Sequence, residues 1–194
     1  MPPATSTMLP LGTPAPDFAL PDFGVRGEGG ARVVGLADLP ARPLVVAFIC
    51  NHCPFVVHIQ DELARLGRDC EAMGVSFIAI NSNNAETHPD DGPAKMTDRA
   101  REAGYTFPYL FDESQRVARA FGAACTPDFY LFDGSRRLVY RGQLDESRPK
   151  NGLPVTGADL RAAIDAVVAG EPVNAVQRPS IGCSIKWKPG NEPA

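Results

Sequence analysis

The stretch that decides the fold is PLVVAFICNHCPF, residues 43–55. Its first part, residues 43–50, is apolar at every position, which is typical of a strand that is buried on both faces in the middle of a sheet. Its second part holds two cysteines, Cys50 and Cys53, with two residues between them. Helical periodicity starts soon afterwards, at Val56. The C-x-x-C pair is therefore expected where a central strand ends and a helix begins.

The helix after this pair is predicted by apolar residues that recur at steps of three and four, which place them on one face. These residues are Val56, Ile59, Leu63, Leu66, Cys70 and Met73. Gly74 marks the end of the helix, and residues 75–80 (VSFIAI) predict a second buried strand. A strand–helix–strand order implies parallel neighbours joined by a right-handed crossover. Cys70 lies on the apolar face, so we expect it to pack in the core.

Outward from this unit, the pattern predicts an α/β fold with a mixed central sheet and helices on both faces. An early hairpin is expected from residues 17–20 and 32–35, and a late antiparallel hairpin from residues 129–132 and 138–141. The remaining predicted elements are helices over 95–103 and 114–121, a short strand over 109–111 and a helix beginning at Thr156. We divide the chain into a loose N-terminal arm (1–12), one domain (13–170) and an irregular C-terminal arm that packs on the domain (171–194).

Composition narrows the class of protein. The 194 residues are 44% hydrophobic and 22% charged, which are ordinary values for a globular domain. The net charge of −4 offers no basic surface for nucleic acid. The longest strongly apolar run, residues 44–50, is far shorter than the ~20 residues of a membrane helix. The first residues have no basic and apolar segments of a secretory signal, so we expect a cytoplasmic protein.

The five cysteines point to redox chemistry rather than to structural disulfides. Their odd number, in a chain without an export signal, argues against a disulfide framework. A thiolate at a helix start is stabilised by unpaired backbone N–H groups and by the helix dipole. Since the thiolate is the reactive form, Cys50 and Cys53 are candidate catalytic residues. His52 could tune them as an imidazolium, or it could be a solvated loop residue.

A second candidate feature is the pair Thr126 and Pro127, directly before the apolar strand predicted at residue 129. Proline cannot donate to a strand ladder, and a cis peptide bond would explain its place at a strand start. An ordinary trans turn is the alternative.

Together these features resemble a known family. The strand–C-x-x-C–helix order and the distant Thr-Pro pair resemble the thioredoxin fold. The stretches GTPAPDFAL (12–20), FICNHCPF (48–55) and CTPDFYLFD (125–133) resemble its peroxiredoxin-like branch, the AhpC/TSA-like redoxins, and the likeness runs from Gly12 to Pro193. The resemblance implies a thiol–disulfide oxidoreductase that acts on protein or small-molecule disulfides with a thiol reductant system. Cys50 would be the attacking thiol, Cys53 the resolving thiol, and Thr126-Pro127 the loop that contacts the substrate.

Departures from the family pattern keep two alternatives open. Cys53 and the proline after it resemble a peroxidatic site, which would make the protein an antioxidant thiol peroxidase with Cys50 or Cys183 resolving. However, Val46 and Cys50 stand at the family's proline and threonine positions, and Pro127 falls about where its arginine would be. A protein that binds a metal or a partner without catalysis is the second alternative.

The other cysteines and the possible metal and nucleotide sites are weaker candidates. Cys125 and Cys183 could be extra redox thiols, or they could be buried structural residues. A zinc site needs four ligands, and there is no second C-x-x-C or paired-histidine motif, so no metal is expected. No glycine-rich phosphate loop is present, so no nucleotide cofactor is expected either. The acidic pair Asp90 and Asp91 is expected to be solvated.

Overall fold

The structure is a computed structural model that describes residues 3–192. The strands are β1 (Ala4–Thr5), β2 (Ala19–Pro21), β3 (Val33–Gly35), β4 (Leu44–Phe48), β5 (Ser76–Asn81), β6 (Tyr109–Phe111), β7 (Cys125–Thr126), β8 (Asp128–Phe132), β9 (Leu138–Gly142) and β10 (Ile181–Ser184). The α-helices are α1 (Pro54–Ala72), α2 (Pro93–Glu102), α3 (Arg116–Phe121) and α4 (Ala158–Ala169).

Five strands form the central sheet in the order β6-β5-β4-β8-β9. β4 pairs in parallel with β5, and β5 pairs in parallel with β6. β8 runs antiparallel to both β4 and β9. The mixed sheet is therefore confirmed, and β4 lies at its centre as its apolar sequence predicts.

Side chains alternate between the two faces of β4, as the pleat of a strand requires. Val45 and Ala47 pack against α1, α2 and α4 on one face. Val46 and Phe48 pack against α3 and the β2–β3 hairpin on the other face. Helices thus cover both faces of the sheet. No helix among the described residues is long and apolar enough to cross a membrane.

The two arms are more ordered than the sequence predicts. The N-terminal arm is not loose throughout, because β1 pairs with β10. The C-terminal arm is irregular only in part, because β10 runs antiparallel to both β1 and β7. The two ends of the chain thus form a three-stranded sheet with the segment before Pro127. Met1, Pro2, Pro193 and Ala194, which belong to the predicted arms, lie outside the described residues.

The last helix begins later than Thr156, where the sequence places its start. The side chain of Asp145 accepts hydrogen bonds from the backbone N–H groups of Thr156 and Gly157, both at 2.7 Å. Gly157 also has a left-handed backbone, with φ of 69°. These contacts hold the chain in a turn, so regular helix starts at Ala158.

Candidate active site

The Cys50–Cys53 pair lies at the carboxyl end of β4, at the start of α1. Cys53 is the residue that caps the helix, which begins at Pro54. Both cysteines are free thiols. The exposed fractions of Cys50 and Cys53 are 1% and 0%. A first sulfur nearer the surface is expected in such a pair, but here exposure does not distinguish the two thiols.

The Thr126-Pro127 segment packs directly against the pair. The peptide bond between Thr126 and Pro127 is cis, as the sequence predicts. The hydroxyl oxygen of Thr126 lies 3.4 Å from the sulfur of Cys50. Its carbonyl oxygen accepts a hydrogen bond from the thiol of Cys53, at 3.2 Å. Residues that are more than 70 positions apart in the sequence therefore meet in one site.

The surroundings of Cys53 favour its thiolate. A hydrogen bond from the Cys50 thiol has the largest effect, and further donors are Cys183, Thr126 and the backbone N–H of Val56. Burial opposes them, but together these donors lower the pKa of Cys53 to about 5. The pKa of Cys53 is therefore the lower of the two, and when it is protonated its thiol donates to the Thr126 carbonyl.

The surroundings of Cys50 have the opposite effect. Its hydrogen bond to Cys53 is the largest cause of a pKa well above the ordinary range, followed by burial and by the negative charge of Asp91. The hydroxyl of Thr126 opposes these causes. The shared hydrogen bond thus raises the pKa of Cys50 and lowers that of Cys53.

The residue that the sequence analysis missed is Asp91. It is fully buried rather than solvated. One carboxylate oxygen accepts hydrogen bonds from the backbone N–H groups of Asn51 (2.8 Å) and His52 (3.3 Å). The other oxygen accepts from the side chain of Asn83, at 2.7 Å. Asp91 thus fixes the two residues that separate the cysteines.

A topological signal for this contact exists in the sequence. β4 and β5 are parallel neighbours, so their carboxyl ends meet at the same edge of the sheet. The segment after β5 must therefore approach the segment after β4, which contains Cys50.

His52 is half-buried and is held between two partners. Its Nδ1 lies 2.6 Å from a carboxylate oxygen of Asp91. Its ring stacks on that of His88, with ring centres 5.5 Å apart. His52 is therefore part of the site rather than a solvated loop residue.

A metal ion would find three candidate ligands here. One side-chain atom from each of Cys50, His52 and Asp91 lies within 4.8 Å of the other two. A structural zinc ion commonly takes four protein ligands, and a catalytic one takes three with an open position. The three side chains thus match the smaller of these ligand sets in number.

The other cysteines differ in where they point. Cys183 adjoins Cys53 and is partly exposed. Burial, followed by the neighbouring Cys53, raises the pKa of Cys183 to about 12. Cys125 is fully buried next to the carbonyl of Pro127, and burial raises its pKa. Cys70 packs in the core between α1 and the sheet, as predicted.

Comparison with known proteins supports the same class. The family model described as "AhpC/TSA family" matches residues 11–141. Two solved structures are similar over nearly the whole chain. An uncharacterized conserved protein from Geobacillus kaustophilus is 57% identical, with 98% of each chain covered and a TM-score of 0.93. A hypothetical protein from Sinorhizobium meliloti is 50% identical, with 96% of this chain and 99% of that chain covered and a TM-score of 0.91.

A curated relative with a named activity is more distant. The thiol–disulfide oxidoreductase ResA of Geobacillus thermodenitrificans is 26% identical over 152 residues, which cover 76% of this chain and 78% of that protein. The central sheet with helices on both faces is a thioredoxin-like fold, as the sequence predicts. The family match covers about two thirds of the sequence and includes the thiol pair and the Thr126-Pro127 segment. The chain therefore belongs to the AhpC/TSA family.

Proposed function

We propose that this protein is a thiol–disulfide oxidoreductase in which Cys50 and Cys53 alternate between a dithiol and a disulfide. The observation that carries the proposal is the unequal thiol pair at the start of α1, with Thr126 against both sulfurs. A charged thiol beside a neutral one is what the two steps of disulfide exchange require, because one thiol attacks first and the other resolves.

The charges suggest which thiol attacks first. The Cys53 thiolate attacks one sulfur of a substrate disulfide, and the other substrate sulfur leaves as a thiolate and takes up a proton. The Cys50 thiol then loses its proton and attacks the sulfur of Cys53. The second substrate sulfur leaves, so the substrate is reduced to two thiols and the protein holds a Cys50–Cys53 disulfide. This order is the reverse of the one that the family resemblance implies.

The substrate class follows from the chemistry of the pair. We propose that it acts on disulfides of proteins or small molecules and that a thiol reductant returns it to the dithiol. The cytoplasmic location that the sequence suggests stays a prediction, and it decides whether the pair reduces or forms disulfides in the cell.

The experiment that tests the proposal is disulfide mapping by mass spectrometry, combined with an assay of insulin disulfide reduction. We expect oxidised protein to contain a Cys50–Cys53 disulfide and reduced protein to cleave insulin disulfides. Cys125→Ser is the matched control, because Cys125 is equally buried and precedes Thr126 in β7, so its side chain lies on the other side of that strand. Absence of both the disulfide and the insulin activity would remove the proposal.

One observation favours a second candidate function. A pKa of about 5 is suited to a peroxidatic thiolate, and Cys53 has that pKa at a helix start. Attack by Cys53 on hydrogen peroxide would release water and leave a sulfenic acid. Condensation with the Cys50 thiol would then release a second water and form the same disulfide. Peroxide consumption coupled to a thiol reductant, without insulin reduction, would establish this alternative.

A further inference from the structure

The C-terminal strand β10 lies along the edge of β7, directly beside the thiol pair. Cys183 is opposite Thr126 in this antiparallel pairing, and Ser184 is opposite Cys125. Residues that face each other across a strand pair point to the same side of the sheet. The side chain of Thr126 contacts Cys50, so the side chain of Cys183 points to the thiols as well.

The fit of β10 to this edge depends on a glycine. A Cβ atom added to Gly182 would lie 2.0 Å from the carbonyl oxygen of Thr126. That same carbonyl accepts the hydrogen bond from the Cys53 thiol. A side chain at residue 182 would therefore push the strand away from the pair, and glycine lets the backbone approach.

Cys183 is more exposed than the two thiols of the pair. Cys50 and Cys53 are buried, while Cys183 is partly exposed and adjoins Cys53. β10 also covers the edge of β7 to which an extended peptide substrate could add a strand. The arm that blocks this edge thus carries a thiol of its own.

We propose that β10 is a built-in substrate strand, in which Cys183 exchanges disulfides with Cys53 and passes them to external thiols. This inference rests on the proposed function, because it needs a Cys50–Cys53 disulfide as its starting point. It assigns Cys183 as a third redox residue and the β7 edge as its docking position.

The first exchange, between the Cys50–Cys53 disulfide and Cys183, needs no reactant from outside the protein. Cys183 loses a proton and its sulfur attacks that of Cys53, while the sulfur of Cys50 leaves with the bonding electron pair and takes up a proton. The product is a Cys53–Cys183 disulfide with no net oxidation. An external thiol then attacks the sulfur of Cys183 and releases the Cys53 thiolate. A second external thiol attacks the external sulfur of this mixed disulfide and releases Cys183, so two external thiols become one disulfide and the protein gains two electrons.

The first test removes the competing thiol. In Cys50→Ser, oxidised with diamide in the native state, we expect mass mapping to find a Cys53–Cys183 disulfide. Cys50→Ser/Cys125→Ser should give the same bond, since neighbouring residues of a strand alternate sides and Cys125 therefore faces away from Thr126 and Cys183. A folded Cys50→Ser variant in which Cys183 stays a free thiol would overturn the proposal.

The second test uses the complete Cys50–Cys53 pair. Reduced glutathione should reduce the Cys50–Cys53 disulfide of Cys183→Ser about ten-fold more slowly than that of the wild type, because the partly exposed entry point is lost. Cys125→Ser should react at the wild-type rate, and equal rates for Cys183→Ser would again overturn the proposal. Failure of the proposed function differs from both outcomes, because it would leave wild-type protein without a Cys50–Cys53 disulfide to reduce.

Discussion

Two segments from distant parts of the chain flank the thiol pair and give it different surroundings. The polar loop, residues 82–92, follows β5 and brings Asp91 to the side of Cys50. The C-terminal arm, residues 171–192, brings Cys183 to the side of Cys53. One segment supplies a carboxylate, which contributes negative charge beside Cys50. The other supplies a thiol, which exchanges electrons.

The difference teaches that two adjacent cysteines of equal burial can differ in charge through what faces them. The two segments are also joined to each other. The backbone N–H of Lys186 donates to the side chain of Asn83 at 2.9 Å, and the backbone N–H of Asn84 donates to the carbonyl of Lys186 at 2.8 Å. A change in either segment can therefore be compared with a matching change in the other.

The largest expected effect comes from replacing the cysteines of the pair by serine. Cys53→Ser removes the thiolate, so insulin reduction should fall at least about 100-fold. Cys50→Ser/Cys183→Ser leaves Cys53 but removes both neighbouring thiols that could resolve, so a mixed disulfide between Cys53 and the substrate should accumulate. Non-reducing electrophoresis and mass mapping measure both results, and Cys125→Ser is the control. Trapping by Cys53→Ser instead would show that Cys50 attacks first, as the family resemblance implies.

A second change acts on the C-terminal arm alone. Gly182→Ala places a methyl group against the Thr126 carbonyl, so β10 must move, at a cost of about 3 kcal/mol. Hydrogen exchange of residues 181–184 should become faster, and the Cys53–Cys183 disulfide should no longer form in the Cys50→Ser background. Gly134→Ala is the control, because nothing lies within 4 Å of its added Cβ. Unchanged exchange at β10 would mean that the close approach is not what positions the strand.

The sequence predicts the polar loop less well than the sheet beside it. The strands β4 and β5 follow from apolar runs, which are local signals. The loop after β5 is rich in Asn and Asp, which normally indicates exposure. Here Asn83 and Asp91 of the loop, and Asn81 at the end of β5, are buried because they bond to one another or to the backbone between the two cysteines. Such mutual bonding depends on tertiary structure, which no local pattern encodes.

The sequence does not predict the strand in the C-terminal arm, for a different reason. Its proline content and lack of periodicity indicate irregular structure, and most of it is irregular. β10 forms because the edges of β1 and β7 are available to it, and both partners are far away in the sequence. The resemblance to the thioredoxin fold places Thr126-Pro127 beside the thiols, but no local pattern shows what covers that edge.

A third change replaces Asp128, a buried carboxylate of β8. The side chain of Asp128 accepts hydrogen bonds from the hydroxyls of Ser6 in the N-terminal arm (2.5 Å) and of Tyr130 (3.0 Å). Burial raises the pKa of Asp128 from the ordinary value of 3.8 to about 7, although the hydroxyl donors oppose it. The folded state therefore binds the proton more tightly than the unfolded state does.

This linkage has a definite sign. The stability from the protonated Asp128 is complete below pH 4 and is lost as the pH rises through about 7. Between pH 5 and pH 8, the wild type should lose about 2 kcal/mol more of its free energy of unfolding than Asp128→Asn does. Urea denaturation at the two pH values measures this difference. Parallel losses in the two proteins would show that the carboxyl does not titrate in this range.

The smallest expected effect is on the polar loop and isolates the charge of Asp91. Asp91→Asn keeps the size of the side chain but removes the negative charge that helps to hold the proton on Cys50. In a Cys53→Ser background, the pKa of Cys50 should therefore fall. The rate of iodoacetamide alkylation as a function of pH measures that pKa directly. Asp90→Asn is the control, because Asp90 is adjacent in sequence but exposed.

The shift in the alkylation profile separates an electrostatic role from a structural one. The amide of Asp91→Asn cannot accept all the hydrogen bonds that the carboxylate accepts, so the variant also loses some stability. Loosening of the polar loop alone would not favour the thiolate of Cys50. Apart from Asp90 itself, the other titratable groups near His52 are the same in both variants, so their effects cancel in the comparison. These groups are His88, Lys95, Asp98, Arg99, Glu102 and Tyr109. A profile that moves to higher pH, or not at all, would assign the proton on Cys50 to burial rather than to the polar loop. The contrast between the two flanking segments would then rest on the C-terminal arm alone.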